Sequence, residues 1–225
     1  MESVRELCGR VTDHLTRLFA RKDNQFGVRE DSRAFGSMVQ KEVGDEWPAL
    51  CTALGVRTGS GAGSRSIYDY AFETGTCVTG FDVKTKDLDA RKYSDGGVCS
   101  VANLLSFMVN RKATLAIIEI GHAGSPHGGD LRSLDYIKVA PVHLLPVDCY
   151  RIENLGTGQL RLNYSLHQVY AEIAWDRGLD EFLEMFTDLA IRHYRRVGRD
   201  AEARARALER FRQQGFRQFS LPGHA

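Results

Sequence analysis

The sequence predicts an α/β (α+β) fold in which a mixed β-sheet is flanked by helices within one domain. Three observations carry this prediction. Apolar residues recur at helical spacing in residues 1–22 and 180–214. Short β-branched and aromatic segments occupy residues 67–72 and 77–85. The run "ATLAIIEIGH" at residues 113–122 is almost entirely apolar and has the length of a strand, as expected of a buried central strand.

Two helices are expected before the first strand. Residues 1–22 form the first, and a loop over residues 23–32 follows it. Residues 32–55, "SRAFGSMVQKEVGDEWPALCTALG", form the second, which Pro48 is predicted to interrupt or restart. The Gly/Ser-rich stretch at residues 56–66 separates these helices from the strands.

The segments "IYDYAF" and "CVTGFDVKT" are predicted to be neighbouring strands joined by the turn "ETGT". A polar loop over residues 87–100 and a helix over residues 100–112 lead to the central strand. Residues 134–165 mix short strands with turns, and "NLGTGQ" is typical of a hairpin. A long helix over residues 180–214 follows, so the expected order is α-α-β-β-α-β-β-α.

Composition excludes several classes of protein. Of the 225 residues, 43% are hydrophobic and 26% are charged, which is ordinary for a globular protein. No apolar run approaches the roughly 18 residues of a membrane span, so no membrane association is expected. The start "MESVRELCGR" lacks the apolar region of a signal peptide. No GK[ST] motif accompanies the Ser/Gly run at residues 58–66, so ATP use is unsupported.

Cysteine usage indicates the cytoplasm. The five cysteines are odd in number, widely scattered and free of any CxxC pair, so we expect reduced thiols and neither a disulfide framework nor a zinc site. They are Cys8, Cys51, Cys77, Cys99 and Cys149.

Positive charge is concentrated near the C-terminus, although the net charge is only +1. Residues 192–217 contain nine arginines and three acidic residues. Such a stripe could neutralise nucleic-acid phosphates, contact a partner subunit or form a solvated helix face. These three alternatives stay open.

The segment "GFDVKTKD" places charges on a predicted strand. Because side chains alternate along a strand, Asp82 and Lys84 share one face, and pairing of the two strands would bring Asp69 near Asp82. Two close carboxylates repel each other unless a cation lies between them, and Mg2+ prefers such oxygen ligands. A lysine beside the metal could orient water and stabilise charge on a phosphate. The alternative is an ion pair on an exposed edge strand.

Asp69, twelve further residues and "DVK" at residues 82–84 resemble the PD-(D/E)xK nuclease signature, with Tyr68 where the family usually has proline. The run from "GFDVKTKD" to "ATLAIIEI" is similar to type II restriction endonucleases of the EcoRV, HincII and SwaI kind. The helix "RAFGSMVQKEVGDEW" also resembles the helix that precedes their catalytic sheet. The resemblance covers about residues 30–125 and implies a restriction-endonuclease-like core.

The resemblance implies roles for individual residues. Asp69 and Asp82 would ligate Mg2+, and Lys84 would position the attacking water. The family often adds an acid from the upstream helix; Glu42 is the best-placed candidate, with Glu46 one turn behind it. Three further acids rank second because they are expected in a turn or beyond the strand end: Glu73, Asp87 and Asp89.

Polar residues in three segments are candidates for DNA contact. The alternatives, in the order of the segments below, are a plain loop, a strand-end histidine satisfied by hydrogen bonds, and an ordinary hairpin. Residues of the loop after the catalytic strand could meet phosphates: Lys86, Arg91, Lys92 and Ser94. Those after the central strand could reach phosphates or base edges: His122, His127 and Arg132. Those of the predicted hairpin have the chemistry of groove readers: Asn154, Gln159, Arg161 and Asn163.

These inferences predict a Mg2+-dependent type II restriction enzyme acting on double-stranded DNA. Cleavage of a two-fold symmetric site implies a homodimer, and a restriction enzyme implies a cognate DNA methyltransferase in the cell. A repair nickase, a junction resolvase or an inactive DNA-binding protein is the alternative. The single domain would span residues 1–225, with N-terminal helices (about 1–55), a catalytic core (about 60–150) and a C-terminal hairpin plus Arg-rich helix (about 150–225).

Overall fold

The computed structural model of the chain divides into two compact units between Leu183 and Glu184. The first unit holds both β-sheets, and the described part of the second is the remainder of the last helix, in which residues 199–209 are exposed. The expectation of one domain over residues 1–225 stays a prediction. The structure describes residues 4–20, 25–27, 32–59, 66–74, 77–90, 97–111, 113–124, 131–153 and 158–214.

The described residues contain five α-helices, and none of these is both long and apolar enough to cross a membrane. The helices are α1 (Val4–Ala20), α2 (Ser32–Leu54), α3 (Val101–Arg111), α4 (Leu166–Val169) and α5 (Leu179–Gln214). The four predicted helices are confirmed as α1, α2, α3 and α5. The interruption at Pro48 is wrong, because α2 runs through this residue. Trp47 and Leu50 on either side of Pro48 are buried in one core, and this packing offsets the hydrogen bond that proline cannot make.

Nine strands form two sheets in the described part of the chain. They are β1 (Gln25–Gly27), β2 (Arg57–Thr58), β3 (Tyr70–Thr74), β4 (Cys77–Asp87), β5 (Gly97–Ser100), β6 (Ala113–Gly124), β7 (Leu131–Pro141), β8 (Tyr150–Glu153) and β9 (Gln159–Leu162).

The larger sheet has the order β1-β7-β6-β4-β3-β2. Only β4 and β6 pair in parallel, and α3 provides the crossover between them. The other neighbours are antiparallel, including the predicted β3–β4 pair. The smaller sheet, β5-β9-β8, is antiparallel throughout and contains the predicted hairpin. The predicted fold class, a mixed sheet flanked by helices, is therefore confirmed.

The main hydrophobic core lies between one face of the larger sheet and helices α1 and α2. Buried sheet residues on this face include Phe72, Phe81, Ile118 and Val139. Period-2 alternation turns the residues between them to the opposite face. The opposite face of β4 and β6 therefore carries Asp82 and the other residues at alternate positions along β4. Helix α3 lies in the connection between these two strands.

Several strands differ from the prediction, among them β2, which lies in the predicted Gly/Ser-rich stretch at residues 56–66. β3 begins at Tyr70 and ends at Thr74, later than the expected segment at residues 67–72. β1 and β5 lie in segments expected to be loops. Both are short and pair with strands that lie far away in sequence, β7 and β9, so no local pattern marks them.

Candidate active site

Strand β4 presents charged and apolar side chains on opposite faces. Phe81 and Val83 pack against the core formed by α1 and α2. Alternation therefore turns Asp82, Lys84 and Lys86 to the other face. β4 is flanked by β3 and β6, and Asp82 is only 6% exposed. The alternative of an ion pair on an exposed edge strand is therefore wrong, although an ion pair is present.

Asp69 lies just before β3, and its carboxylate is held against β4. Its backbone N–H donates to the Phe81 carbonyl (2.8 Å), and its Oδ2 accepts from the Val83 backbone N–H (2.8 Å). Tyr70 pairs directly with Phe81, so the antiparallel register brings Asp69 alongside Asp82. The structure thus brings the two predicted acids together.

Asp82 is a buried carboxylate with one paired and one unpaired oxygen. Lys84 Nζ lies 2.9 Å from Oδ1, whereas the buried Oδ2 has no hydrogen-bond partner among the described residues. Burial raises the pKa of Asp82 from 3.8 to about 7; the nearby Lys84 opposes this rise, and Asp69 adds to it. The Asp82 carboxyl group therefore gains a proton, or another cation, more readily than an ordinary aspartate.

A hard divalent cation fits this pair of acids. Both side chains offer carboxylate oxygens, which Mg2+ prefers, and the unpaired Oδ2 of Asp82 is a vacant acceptor. No group of three or more His, Cys, Asp or Glu residues in the described part of the chain is arranged to hold a metal. A site with two carboxylates is still suitable, because Mg2+ commonly keeps several waters.

Two residues near this pair were not among the sequence candidates. Cys99, in β5, is affected by both Asp82 and Lys84: burial raises its pKa to about 12, with Asp82 adding to the rise and Lys84 opposing it. No sequence signal could have found Cys99, because β5 reaches the site by pairing with β9, which is distant in sequence.

The second missed residue is Glu119, in the central strand β6. It is 6% exposed and is aligned with Lys84 in the parallel register. Its Oε1 accepts hydrogen bonds from Tyr136 Oη (2.9 Å) and from the His167 backbone N–H (3.3 Å). An acid within the apolar run "ATLAIIEIGH" is the signal that could have found it, because a buried carboxylate is costly unless it is paired.

The two candidate acids of α2 lie on the helix that covers the opposite face of the sheet. Glu46 Oε1 lies 2.9 Å from His14 Nε2 of α1, so this carboxylate is engaged away from Asp82. Glu42 is half-buried on α2, and its role in metal binding stays a prediction.

Each of the three second-rank acids has a contact within the protein. Glu73 lies in β3, not in a turn, and pairs with Arg57 (3.1 Å). Asp87 is the last residue of β4, not outside the strand, and its Oδ1 accepts from the Asp89 backbone N–H (3.0 Å). Asp89 Oδ2 accepts from the Gly124 backbone N–H (2.6 Å).

Two of the proposed DNA-contacting side chains have contacts within the protein. His122 is 1% exposed, and its ring lies 4.0 Å from the Phe35 ring, so it is not presented to a ligand. Asn163 Nδ2 donates to the Asp148 carbonyl (2.8 Å), which ties β9 to the turn before β8. Burial corrects the assignment of His122, whereas Asn163 is exposed and its contact with DNA stays a prediction.

The smaller sheet retains two candidates. Gln159 lies over Gly97, where a Cβ would collide with its side chain. Arg161 Nε lies 2.8 Å from Glu153 Oε2, and Arg151 Nη2 lies 2.9 Å from Oε1 of the same carboxylate. One acid therefore contacts two arginines on this face.

Other DNA candidates are only partly placed. Lys86 is half-buried on the same face of β4 as Lys84, and Arg132 lies in β7. The remaining candidates lie outside the described residues: Arg91, Lys92, Ser94, His127 and Asn154.

Comparisons with known proteins found structural likeness but no sequence match. No family model matches the chain, and a search of curated proteins finds no match. Among solved structures, the chain is similar to NlaIV restriction endonuclease, with a TM-score of 0.46 and 8% sequence identity. The alignment covers 86% of this chain and 90% of that one. This similarity is too low to assign a family.

Proposed function

We propose that this protein is a Mg2+-dependent endonuclease that hydrolyses phosphodiesters of double-stranded DNA. The observation that carries the proposal is Asp82, a buried carboxylate with one unpaired oxygen, beside Asp69 and ion-paired to Lys84. Structural aspartates of a core are normally fully hydrogen-bonded, so an unpaired buried oxygen calls for a functional reason.

Each residue of the proposed site has its own role. Asp69 and Asp82 would hold Mg2+, which when bound supplies Lewis-acid polarisation of the phosphate and of a water molecule. Lys84 has three N–H donors and would hydrogen-bond the attacking water and stabilise negative charge on the phosphate. The two backbone contacts of Asp69 hold its carboxylate before substrate arrives, which reduces the cost of ordering the site.

The same proposal extends to the biological setting. A type II restriction enzyme of the cytoplasm, acting as a homodimer and accompanied by a cognate DNA methyltransferase, suits the resemblance of Asp69 and "DVK" to the PD-(D/E)xK signature. A nickase or junction resolvase would use the same residues on a different DNA, and an inactive DNA-binding protein would bind without cleaving.

The decisive experiment is incubation of the purified protein with a sequenced plasmid and Mg2+, followed by sequencing of the fragment ends. Discrete ends at one short palindrome support a restriction enzyme and also define the cut. Nicks in one strand, or cleavage of branched DNA alone, support the nickase or the resolvase. Tight binding without cleavage supports the inactive binder.

Two substitutions test the site itself. Asp82→Asn and Lys84→Ala are each expected to reduce cleavage by at least about 100-fold, because each removes charge that acts at the transition state. Asp45→Asn and Lys41→Ala are matched controls, since these residues form an exposed ion pair on α2. Full activity in Asp82→Asn or Lys84→Ala would refute the site.

A further inference from the structure

Glu119 lies beside the candidate site but is not part of the Asp69–Asp82 pair. It is aligned with Lys84 across the parallel β4–β6 pair, and aligned partners point to the same face of a sheet. Neighbouring strands are about 4.8 Å apart, a gap that a lysine side chain spans easily. Lys84 therefore has two carboxylates within its reach, Asp82 on its own strand and Glu119 on the next.

The Glu119 carboxylate is held in place through one oxygen. Tyr136 Oη and the His167 backbone N–H both donate to Oε1. The Tyr136 ring lies directly over Gly121, where a Cβ would be 2.3 Å from ring atom Cε1. The same ring stacks on the His167 ring, with centroids 4.5 Å apart. Glu119 is thus oriented through Oε1.

A bound metal would change the surroundings of Lys84. Lys84 Nζ is 2.9 Å from Asp82 Oδ1, in the same carboxylate as the unpaired Oδ2 that a cation would bind. A metal on Asp82 repels the ammonium group and takes up the negative charge that held it. A half-buried ammonium group that loses its partner needs another anion, and Glu119 is the neighbouring one.

We propose that Glu119 is a positioning residue that accepts the Lys84 ammonium group when Asp82 engages a divalent cation. This inference rests on the proposed function, because it takes Asp69 and Asp82 as the metal-binding pair. Glu119 thereby lowers the cost of displacing Lys84 and keeps the ammonium group at the site, where the attacking water would lie.

A double-mutant cycle of metal binding tests this role without DNA or activity. Mn2+ is a hard cation whose binding can be measured by electron paramagnetic resonance. It is titrated into wild type, Glu119→Gln, Lys84→Met and the double variant. Glu119→Gln keeps an acceptor for Tyr136 and His167 but removes the charge. We expect it to weaken Mn2+ binding about fivefold when Lys84 is present and less than about twofold in the Lys84→Met background.

Each result has a defined meaning. An equal loss of affinity in both backgrounds would show that the Glu119 charge acts directly on the metal, and no loss in either would show a purely structural residue; both overturn the inference. If wild type binds no Mn2+, the proposed metal site fails and the inference fails with it. If wild type binds Mn2+ but the effects of Glu119→Gln and Lys84→Met on Mn2+ affinity are additive, the proposed role of Glu119 is refuted and the metal site stands.

Two further variants keep the test decisive. Glu73→Gln removes a comparable charge from β3, where the carboxylate pairs with Arg57, and should leave Mn2+ affinity unchanged. If Glu119→Gln does not fold, Tyr136→Phe replaces it, because it removes one orienting hydrogen bond and leaves the charge. We expect Tyr136→Phe to weaken Mn2+ binding only when Lys84 is present, and an unchanged affinity would overturn the inference.

Discussion

Asp82 combines burial, an unpaired oxygen and an ion pair in one side chain. It lies in a strand whose neighbouring residues serve the core, yet its Oδ2 is buried without a partner among the described residues. Burial favours the neutral form, and the ion pair with Lys84 favours the charged one. The resulting pKa of about 7 means that small changes in pH or cation concentration alter its charge.

Asp82 should make the stability of the metal-free protein depend on pH. The folded protein holds a proton on Asp82 up to about pH 7, whereas an ordinary aspartate releases it near 3.8. Between these values the folded state binds more protons, so this residue's contribution to stability falls as pH rises, by at most about 1.4 kcal/mol per pH unit. Denaturant unfolding of wild type and Asp82→Asn between pH 4 and 7 measures the difference.

The comparison with Asp82→Asn is needed because another buried group titrates in the same range. Burial and the nearby Arg177 lower the pKa of His143 from 6.5 to about 4, so its contribution to stability rises with pH over that interval. This contribution is common to both proteins and cancels in their difference. Parallel curves for wild type and Asp82→Asn would contradict the raised pKa of Asp82.

At the scale of elements, β4, β6 and β7 together carry the residues of the proposed site. β4 supplies Asp82 and Lys84, β6 supplies Glu119, and β7 supplies Tyr136, which holds Glu119. β4 and β6 are evident in the sequence as an alternating and an apolar run, whereas β7 lies largely in a segment predicted only to mix short strands with turns. Their relative register is not evident, because it depends on pairing between distant segments.

Gly121 is predicted to be required for this three-strand arrangement. A Cβ at this position would lie 2.3 Å from Tyr136 Cε1 and 2.6 Å from two further ring atoms. Gly121→Ala should therefore displace the ring and lower stability by about 1–3 kcal/mol, measured by denaturant unfolding. Gly9→Ala in α1 is the control, because nothing lies within 4 Å of its Cβ, and it should gain about 0.5–1 kcal/mol. Equal effects of the two substitutions would refute the packing role of Gly121.

For the whole molecule, cleavage of both strands requires two active sites. One chain supplies a single Asp69–Asp82–Lys84 set, so we predict a homodimer on the two-fold axis of a palindromic site. Sedimentation should show a dimer in the concentration range that supports cleavage, and supercoiled plasmid should become linear with little nicked intermediate. A monomer that only nicks DNA would contradict this and favour the nickase.

The sequence by itself determined the fold class and the placement of two candidate site residues on one face of a strand. Helical and strand periodicity are local properties, so α1, α2, α3, α5, β4 and β6 could be read directly. Alternation along β4 placed Asp82 and Lys84 on one face for the same reason.

Only the tertiary structure decided what surrounds that pair. Two backbone hydrogen bonds orient Asp69, the parallel register places Glu119 opposite Lys84, and pairing of β5 with β9 brings in Cys99. Burial also removed His122 from the candidate DNA contacts. Each of these depends on contacts between segments far apart in the chain. Their energies arise only when the sheet is assembled, and no local pattern of residues records them.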